Sequence, residues 1–137
     1  MSGYQARPPS LGDTVYRLYP MLFGAGDNGY MEISTLSRNN SLTFNAAAST
    51  AVVTGKIRGF ELGSETGNLT SIAEDDSVSL LVQPATANGA ISMTFEEPGS
   101  TTYIDGYVSE DSSVIILRLY EEGTNDRLVG IIVGVKQ

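Results

Sequence analysis

The stretch Thr101–Val135, TTYIDGYVSEDSSVIILRLYEEGTNDRLVGIIVGV, decides the fold of this chain. It contains three apolar runs separated by two polar turns, and β-branched residues dominate each run: Tyr103–Val108, Val114–Tyr120 and Leu128–Val135. Because each run is too short for a typical globular helix, the stretch predicts a three-stranded antiparallel meander.

The last two of these strands are apolar on both faces, whereas an antiparallel strand with one wet face alternates apolar with polar residues. In the final run Leu128 and Ile132 point to one side, and the opposite side carries Val129, Ile131, Val133 and Val135. Burying a side chain of this size contributes about 1.5–3 kcal/mol, so leaving four exposed forgoes roughly 6–12 kcal/mol. The sequence therefore predicts a cover for the second face: the segment Thr14–Phe23, a subunit interface, or the ligand of a barrel. We favour the first two together.

Upstream, further short strands are separated by turn signals such as Asn88-Gly89. Ala90–Glu96 alternates most regularly, Ala51–Leu62 is a longer strand with an expected bulge near Gly59, and Glu74-Asp75-Asp76 is expected to form a turn. Pro20 predicts an edge or bulge position. About eight to ten short strands without an amphipathic helix predict an all-β protein, either an antiparallel β-sandwich or jelly roll, or a closed barrel.

The length of 137 residues predicts one domain. Residues 1–13 lack hydrophobic periodicity and contain Pro8-Pro9, so we expect an extended N-terminal arm, followed by a single all-β domain over residues 14–137. Tyr4 and Arg7 favour an arm that docks on a partner, because both residue types are enriched at interfaces.

The chain has no cysteine and no histidine, which excludes thiol chemistry, zinc sites with the usual ligands and nucleophile–histidine pairs. Acidic groups such as Glu110-Asp111 and Glu121-Glu122 can serve glycoside hydrolysis or calcium binding, but solvated turn residues explain them better. The glycines Gly24, Gly26 and Gly29 match a dinucleotide pattern, yet a strand rather than a helix follows them. We therefore expect no enzyme, no cofactor and no metal.

The net charge of −8 is unevenly distributed, because residues 61–126 carry thirteen acids and one base while residues 1–60 have a net charge of +2. Phosphate contacts need Lys and Arg, so we expect no nucleic-acid partner. The amino terminus has no signal-peptide pattern and no run approaches the roughly 18 apolar residues of a membrane span. These features predict synthesis in the cytoplasm without a signal peptide and no membrane association.

The function that fits best is a non-catalytic structural or assembly protein that forms a homo-oligomer or attaches to a larger protein shell. Its expected interface contains Tyr4, Arg7, Tyr16, Tyr19, Val129, Ile131, Val133 and Val135. In composition and layout, a small acidic all-β chain with a Pro-containing arm is similar in type to the decoration or cement proteins of viral capsids. That resemblance implies a possible place on a virion. The alternative is a small-ligand-binding barrel of the lipocalin or avidin type, with Tyr103, Tyr107 and Met93 around its cavity.

Asp105 and Arg118 lie on neighbouring predicted strands and have two interpretations. They are either two exposed residues on a polar stripe, which we favour, or a partly buried ion pair at an interface. The register of the two strands decides between them.

Overall fold

The computed structural model describes residues 8–26, 31–36, 40–62, 68–123 and 126–137. Nine strands account for most of these residues, and no helix occurs among them. The strands are β1 (Val15–Gly26), β2 (Met31–Leu36), β3 (Ser41–Phe44), β4 (Thr50–Leu62), β5 (Leu69–Gln83), β6 (Ala90–Glu97), β7 (Ser100–Val108), β8 (Val114–Gly123) and β9 (Asp126–Lys136). The expectation of an all-β protein is confirmed, and the meander of β7, β8 and β9 lies where the sequence predicts it.

The strands form one antiparallel barrel in which chain neighbours are sheet neighbours. β2 and β3 act as two halves of a single strand, because both pair with β1 on one side and with β4 on the other. The barrel closes where β1 pairs with β9, in a register that runs from Tyr16↔Lys136 to Gly26↔Asp126. Of the expected architectures, the closed barrel is the one formed, with eight strand positions around it.

Pro20 lies in the middle of β1, opposite Ile132 of β9. On its other side β1 pairs with β3 up to Arg17 and with β2 from Met21 onward, and none of these described pairs includes Pro20, which has no N–H to donate to a ladder. The expected edge position is wrong, because β1 has neighbours on both sides. The register with β9 is continuous through Pro20, so there is no bulge against that strand.

Three other local expectations are wrong. Glu121 and Glu122 do not lie in a turn but in β8, paired with Thr102 and Thr101 of β7. Glu74, Asp75 and Asp76 do not form a turn but lie inside β5, which runs without interruption for 15 residues. β4 pairs with β5 in continuous register from Thr50↔Leu81 to Leu62↔Leu69, so there is no bulge at Gly59. Among the described residues β6 pairs with β5 only through Leu81, Val82 and Gln83. At the acidic residues β5 is paired with β4 on one side, and no described residue pairs with its other side, so they lie on an edge strand, where charged residues are common.

The interior of the barrel is filled by side chains, as expected for a barrel of about eight strands. Tyr16 and Phe44 pack edge to face with their ring centroids 6.2 Å apart. The fully buried apolar residues are Tyr16, Leu42, Phe44, Leu80, Met93, Ile115 and Leu117. These side chains fill the barrel interior with a packed core and leave no open cavity among them.

One end of the barrel is covered by the segment that precedes β1. Leu11 is 3% exposed and belongs to the core, and the Asp13 N–H donates to the Asn45 carbonyl at 3.2 Å. The Ser112 hydroxyl donates to the Ser10 carbonyl at 3.2 Å. The described part of the expected arm, residues 8–13, thus packs against the barrel. Residues 1–7 lie outside the described residues.

Candidate functional site

The outward side of β9 is apolar along the strand. Ile132 is buried and Leu128 packs against the core, whereas Val129, Ile131 and Val135 are exposed on the outer surface. The sequence predicts the same assignment of β9 side chains to two opposite faces. Among the described residues, no segment lies over the outer face of β9.

The segment Thr14–Phe23 does not provide the expected cover. It forms β1, which is hydrogen-bonded beside β9, with Tyr19 opposite Val133 and Met21 opposite Ile131. Because β1 is itself a strand of the barrel wall, its odd-numbered side chains also point outward. Tyr19, Met21 and Phe23 are exposed, and they widen the apolar surface instead of covering it.

On the other side of β9 the surface continues across β8 and β7. Ile116 of β8 lies between Val133 and Tyr107, which gives the cross-strand row Tyr107–Ile116–Val133–Tyr19. We call this surface the outer apolar face. It consists of Tyr19, Met21, Phe23, Tyr107, Ile116, Val129, Ile131, Val133 and Val135.

The exposed area of this face is large for a single barrel. Apart from Val133, which is half-buried, its eight residues are each 41 to 62% exposed. With a full surface of about 200 Å² for a large side chain, they expose on the order of 800 Å² together. The largest apolar patch on a typical monomeric protein is about 300–600 Å². The outer apolar face therefore exceeds what a solitary soluble domain usually presents.

The charged residues described on this side are few and have partners. Arg118 and Asp105 are directly opposite each other on β8 and β7, and their Nη2 and Oδ2 atoms are 3.2 Å apart. The hydrogen bond to Asp105 raises the pKa of Arg118, so the guanidinium stays charged. The favoured interpretation of two separate exposed residues is therefore wrong, because the side chains form an ion pair. Arg118 is exposed and Asp105 is half-buried, which fits the alternative of a partly buried pair.

Aromatic rings surround this ion pair. The guanidinium of Arg118 lies 5.2 Å from the ring centre of Tyr120, which stacks on Tyr103 with the centroids 4.9 Å apart. At the edge of the face the Arg17 guanidinium lies 5.7 Å from the Tyr19 ring. Both guanidinium groups on this side are thus held against tyrosine rings.

Two open clefts shape this surface. The larger, of about 1040 Å³, follows β9, with Val129, Ile131 and Val133 at its floor and longer side chains of β1 and β8 at its sides. The smaller, of about 600 Å³, lies between β7 and β8 and includes Tyr107 and Ile116. Arg118 and Ile131 border both clefts.

Of the residues expected at an interface, the structure places some on the outer apolar face and one inside the barrel. Tyr19, Val129, Ile131, Val133 and Val135 lie together on the outer apolar face. Tyr16 does not, because it points into the barrel, is 0% exposed and donates its hydroxyl to the Ser112 carbonyl at 2.6 Å. Tyr4 and Arg7 lie outside the described residues.

Sequence reasoning missed Met21, Phe23, Tyr107 and Ile116, all of which the structure places on the outer apolar face. The available signal was the run Thr14–Phe23, which is apolar at both odd and even positions in the same way as β8 and β9. A second strand that is apolar on both faces can lie beside β9 in the same exposed sheet, and it can equally cover the outer side of β9. The sequence pattern alone does not distinguish these two placements.

The cavity residues expected for a ligand-binding barrel do not come together. Met93 is fully buried inside the barrel, whereas Tyr107 is 62% exposed on its outer surface. Tyr103 stacks on Tyr120 on the same outer side as Tyr107. These three side chains therefore line no common cavity.

The carboxylates show structural roles where they are described. Asp111 caps the turn between β7 and β8, and its Oδ1 accepts hydrogen bonds from the hydroxyls of Ser109 and Ser113 at 2.8 and 2.6 Å. Bonds to Ser113 and Ser109 lower the pKa of Asp111 to about 2. Within the described ranges no three acidic residues cluster as a metal site would require. The same part of the chain has no helix with the length and apolar character to cross a membrane.

Comparisons with known proteins give no family for this chain, since no family model, curated protein or solved structure matches it.

Proposed function

We propose that this chain is a non-catalytic structural protein that joins a larger protein assembly through its outer apolar face. The observation that carries the proposal is the area of that face, on the order of 800 Å², on a barrel whose core is already packed without it. Contact with another protein removes this surface from water, and burial of apolar area drives most protein association.

The composition of the face supports protein contact. Tyr, Phe, Met and Arg are enriched in interfaces, whereas Lys, Glu and Asp are depleted there. Tyr19, Met21, Phe23, Tyr107 and Arg118 supply four of the enriched types on this one side of the barrel. Rigid aromatic side chains also lose little conformational entropy when they are buried, so they suit a permanent contact.

Attachment to a protein shell, such as the outer surface of a viral capsid, is one form of this function. The acidic composition, the all-β body and the amino-terminal segment support that form. Residues 1–7, with Tyr4 and Arg7, would supply a second point of attachment. A truncation that tests this must end before Leu11, because that side chain belongs to the core.

The test is the size of the particle that contains this chain in an extract of cells that make it. We expect the wild-type chain to sediment well above its own mass of 14.6 kDa. Ile131→Glu should return it to the sedimentation of a free chain, because it puts a charge into the centre of the face. Leu81→Glu is the matched control, since Leu81 is equally exposed (66%) but lies on β5. Sedimentation of the wild type as a free chain, or equal loss in both variants, would refute the proposal.

A ligand-binding barrel is the second candidate, favoured by the up-and-down closure that lipocalins and streptavidin share. Against it, Tyr16, Phe44, Leu80 and Met93 occupy the interior. A binding measurement with a fluorescent fatty acid separates the two proposed functions. A ligand inside the barrel should still bind to Ile131→Glu, whereas its binding should be lost when a substitution enlarges an interior residue.

A further inference from the structure

The larger cleft, which follows β9, is a groove between two ridges of side chains. Its floor is formed by the short side chains Val129, Ile131 and Val133 of β9. One ridge is Tyr19, Met21 and Phe23 on β1, and the other is Arg118 and Tyr120 on β8. Neighbouring strands are about 4.8 Å apart, so the two ridges are separated by roughly 10 Å, which is the width of one row of side chains.

We propose that the occupant of this groove is a second copy of the chain, docked by the same face about a two-fold axis. The axis lies in the interface between the copies, parallel to β1 and β9 and over the pair Met21↔Ile131. In this arrangement the β1 ridge of each copy lies in the β9 groove of the other. A two-fold contact requires a surface that complements itself, and a ridge beside a groove of matching width provides one.

The area of the face agrees with what a dimer needs. A stable interface buries about 800 Å² on each partner, and the exposed part of the outer apolar face is of the same size. Obligate homodimer interfaces are also more apolar than other contacts.

Charge permits a second copy at this face. Each chain carries a net charge of −8, so two copies repel each other when acidic surfaces meet. The charged side chains described on this side are Arg17, Arg118 and Asp105, two bases and one acid, and Asp105 is paired with Arg118. The outer apolar face is thus one part of the described surface on which two acidic chains approach with little repulsion.

The closure of the barrel determines that the contact is made by side chains. β1 has hydrogen-bonded neighbours on both sides, and so does β9, through β8 and β1. Neither strand offers a free edge for strand addition, the usual route by which sheets join. A contact here must be face to face, which again requires the complementary ridge and groove.

This inference rests on the proposed function and names its partner. Its test uses the purified full chain in analytical ultracentrifugation between about 1 and 500 μM, where a micromolar dissociation constant gives a mass that depends on concentration. We expect a species of twice 14.6 kDa. Ile131→Glu should weaken it at least about 100-fold, because the charge enters the interface twice, and Leu81→Glu should change it less than about threefold. Far-UV circular dichroism checks that both variants are folded.

A second variant tests the axis directly. The chain has no cysteine, so Met21→Cys places one thiol on each copy, and the two thiols face each other across the axis. A short bismaleimide should join this variant into a covalent dimer, whereas Leu81→Cys should stay single.

A monomer throughout the concentration range overturns the inference, as does a dimer that tolerates Ile131→Glu or that cross-links equally through Leu81→Cys. A trimer or larger closed ring overturns the two-fold arrangement. If the purified chain is a monomer while the particle in the extract still depends on Ile131, the second copy is refuted and the proposed function stands.

Discussion

Tyr16→Phe tests how much the buried hydroxyl of Tyr16 contributes to the stability of the barrel. Tyr16 is fully buried, packs edge to face on Phe44 and donates its hydroxyl to the Ser112 carbonyl at 2.6 Å. The substitution keeps the ring and removes only the hydroxyl, so the Ser112 carbonyl loses this hydrogen bond. We expect the free energy of unfolding near pH 7 to fall by about 1–2 kcal/mol.

The effect should reverse at high pH. Burial, with a smaller contribution from the charge of Asp111, raises the pKa of Tyr16 to about 12 from its ordinary value of 10.0. Between these values the unfolded chain loses the phenolic proton before the folded chain does, so the stability of the wild type falls as pH rises. The full shift corresponds to roughly 2.7 kcal/mol, and about half of it is lost by pH 11. Since phenylalanine does not titrate, the variant should become the more stable protein above about pH 11.

The assay is urea unfolding followed by far-UV circular dichroism, because the chain has no tryptophan for fluorescence. Wild type and variant are compared near pH 7, 10 and 11.5. The loss of stability that comes from ionisation of Tyr16 is absent near pH 7, begins near pH 10 and is largely complete near pH 11.5. Tyr19→Phe on the same strand is the control, since its exposed side chain should change the free energy of unfolding by less than about 0.5 kcal/mol. A stability difference that stays constant with pH would refute the reasoning about Tyr16.

Three further outcomes are expected. Leu11→Ala should lower the free energy of unfolding by about 2–4 kcal/mol, because Leu11 is a core residue, and an unchanged urea midpoint would show that residues 8–13 do not hold the barrel end. Gly106→Ala should cost more than about 2 kcal/mol, since its Cβ would collide with the Ile116 carbonyl oxygen, and a normal midpoint would contradict the close approach of β7 and β8. Asp111→Ala should lower the melting temperature near pH 7 but not below about pH 2, because the hydrogen-bonded carboxylate stabilises the fold only above its lowered pKa of about 2. Carboxyl chemical shifts measured by NMR during an acid titration check that pKa independently.

The sequence determined the strand type and much of the strand placement. β-branched residues and alternation predict β6 and the meander β7–β8–β9, and those strands are found there. The doubly apolar final strand also predicts that Val129, Ile131 and Val135 share a face opposite to that of Ile132, which the structure confirms. Local patterning carries this information because neighbouring side chains on a strand point to opposite faces.

The sequence did not determine which way β1 faces, and this explains the different outcomes for Tyr16 and Tyr19. Both lie in one run that is apolar on both faces except for Arg17, which shares the face of Tyr19, so the pattern decides only weakly which set of alternate residues is buried. The pairing of β1 with β9 makes the choice by placing Tyr16 beside Phe44 in the core and Tyr19 outside. The acidic triplet in β5 was misjudged for a related reason, since its strand conformation depends on the long register with β4 rather than on its own composition.

Tertiary structure alone decided the closure of the barrel and the extent of the outer apolar face. Closure joins β1 to β9 through pairs more than a hundred residues apart, such as Tyr16↔Lys136, and no local signal encodes that pairing. The same contact brings the exposed side chains of β1 next to those of β9, which turns separate apolar rows into one surface. Local side-chain alternation establishes which residues of a strand share a face, whereas only long-range hydrogen bonding establishes which strands are neighbours.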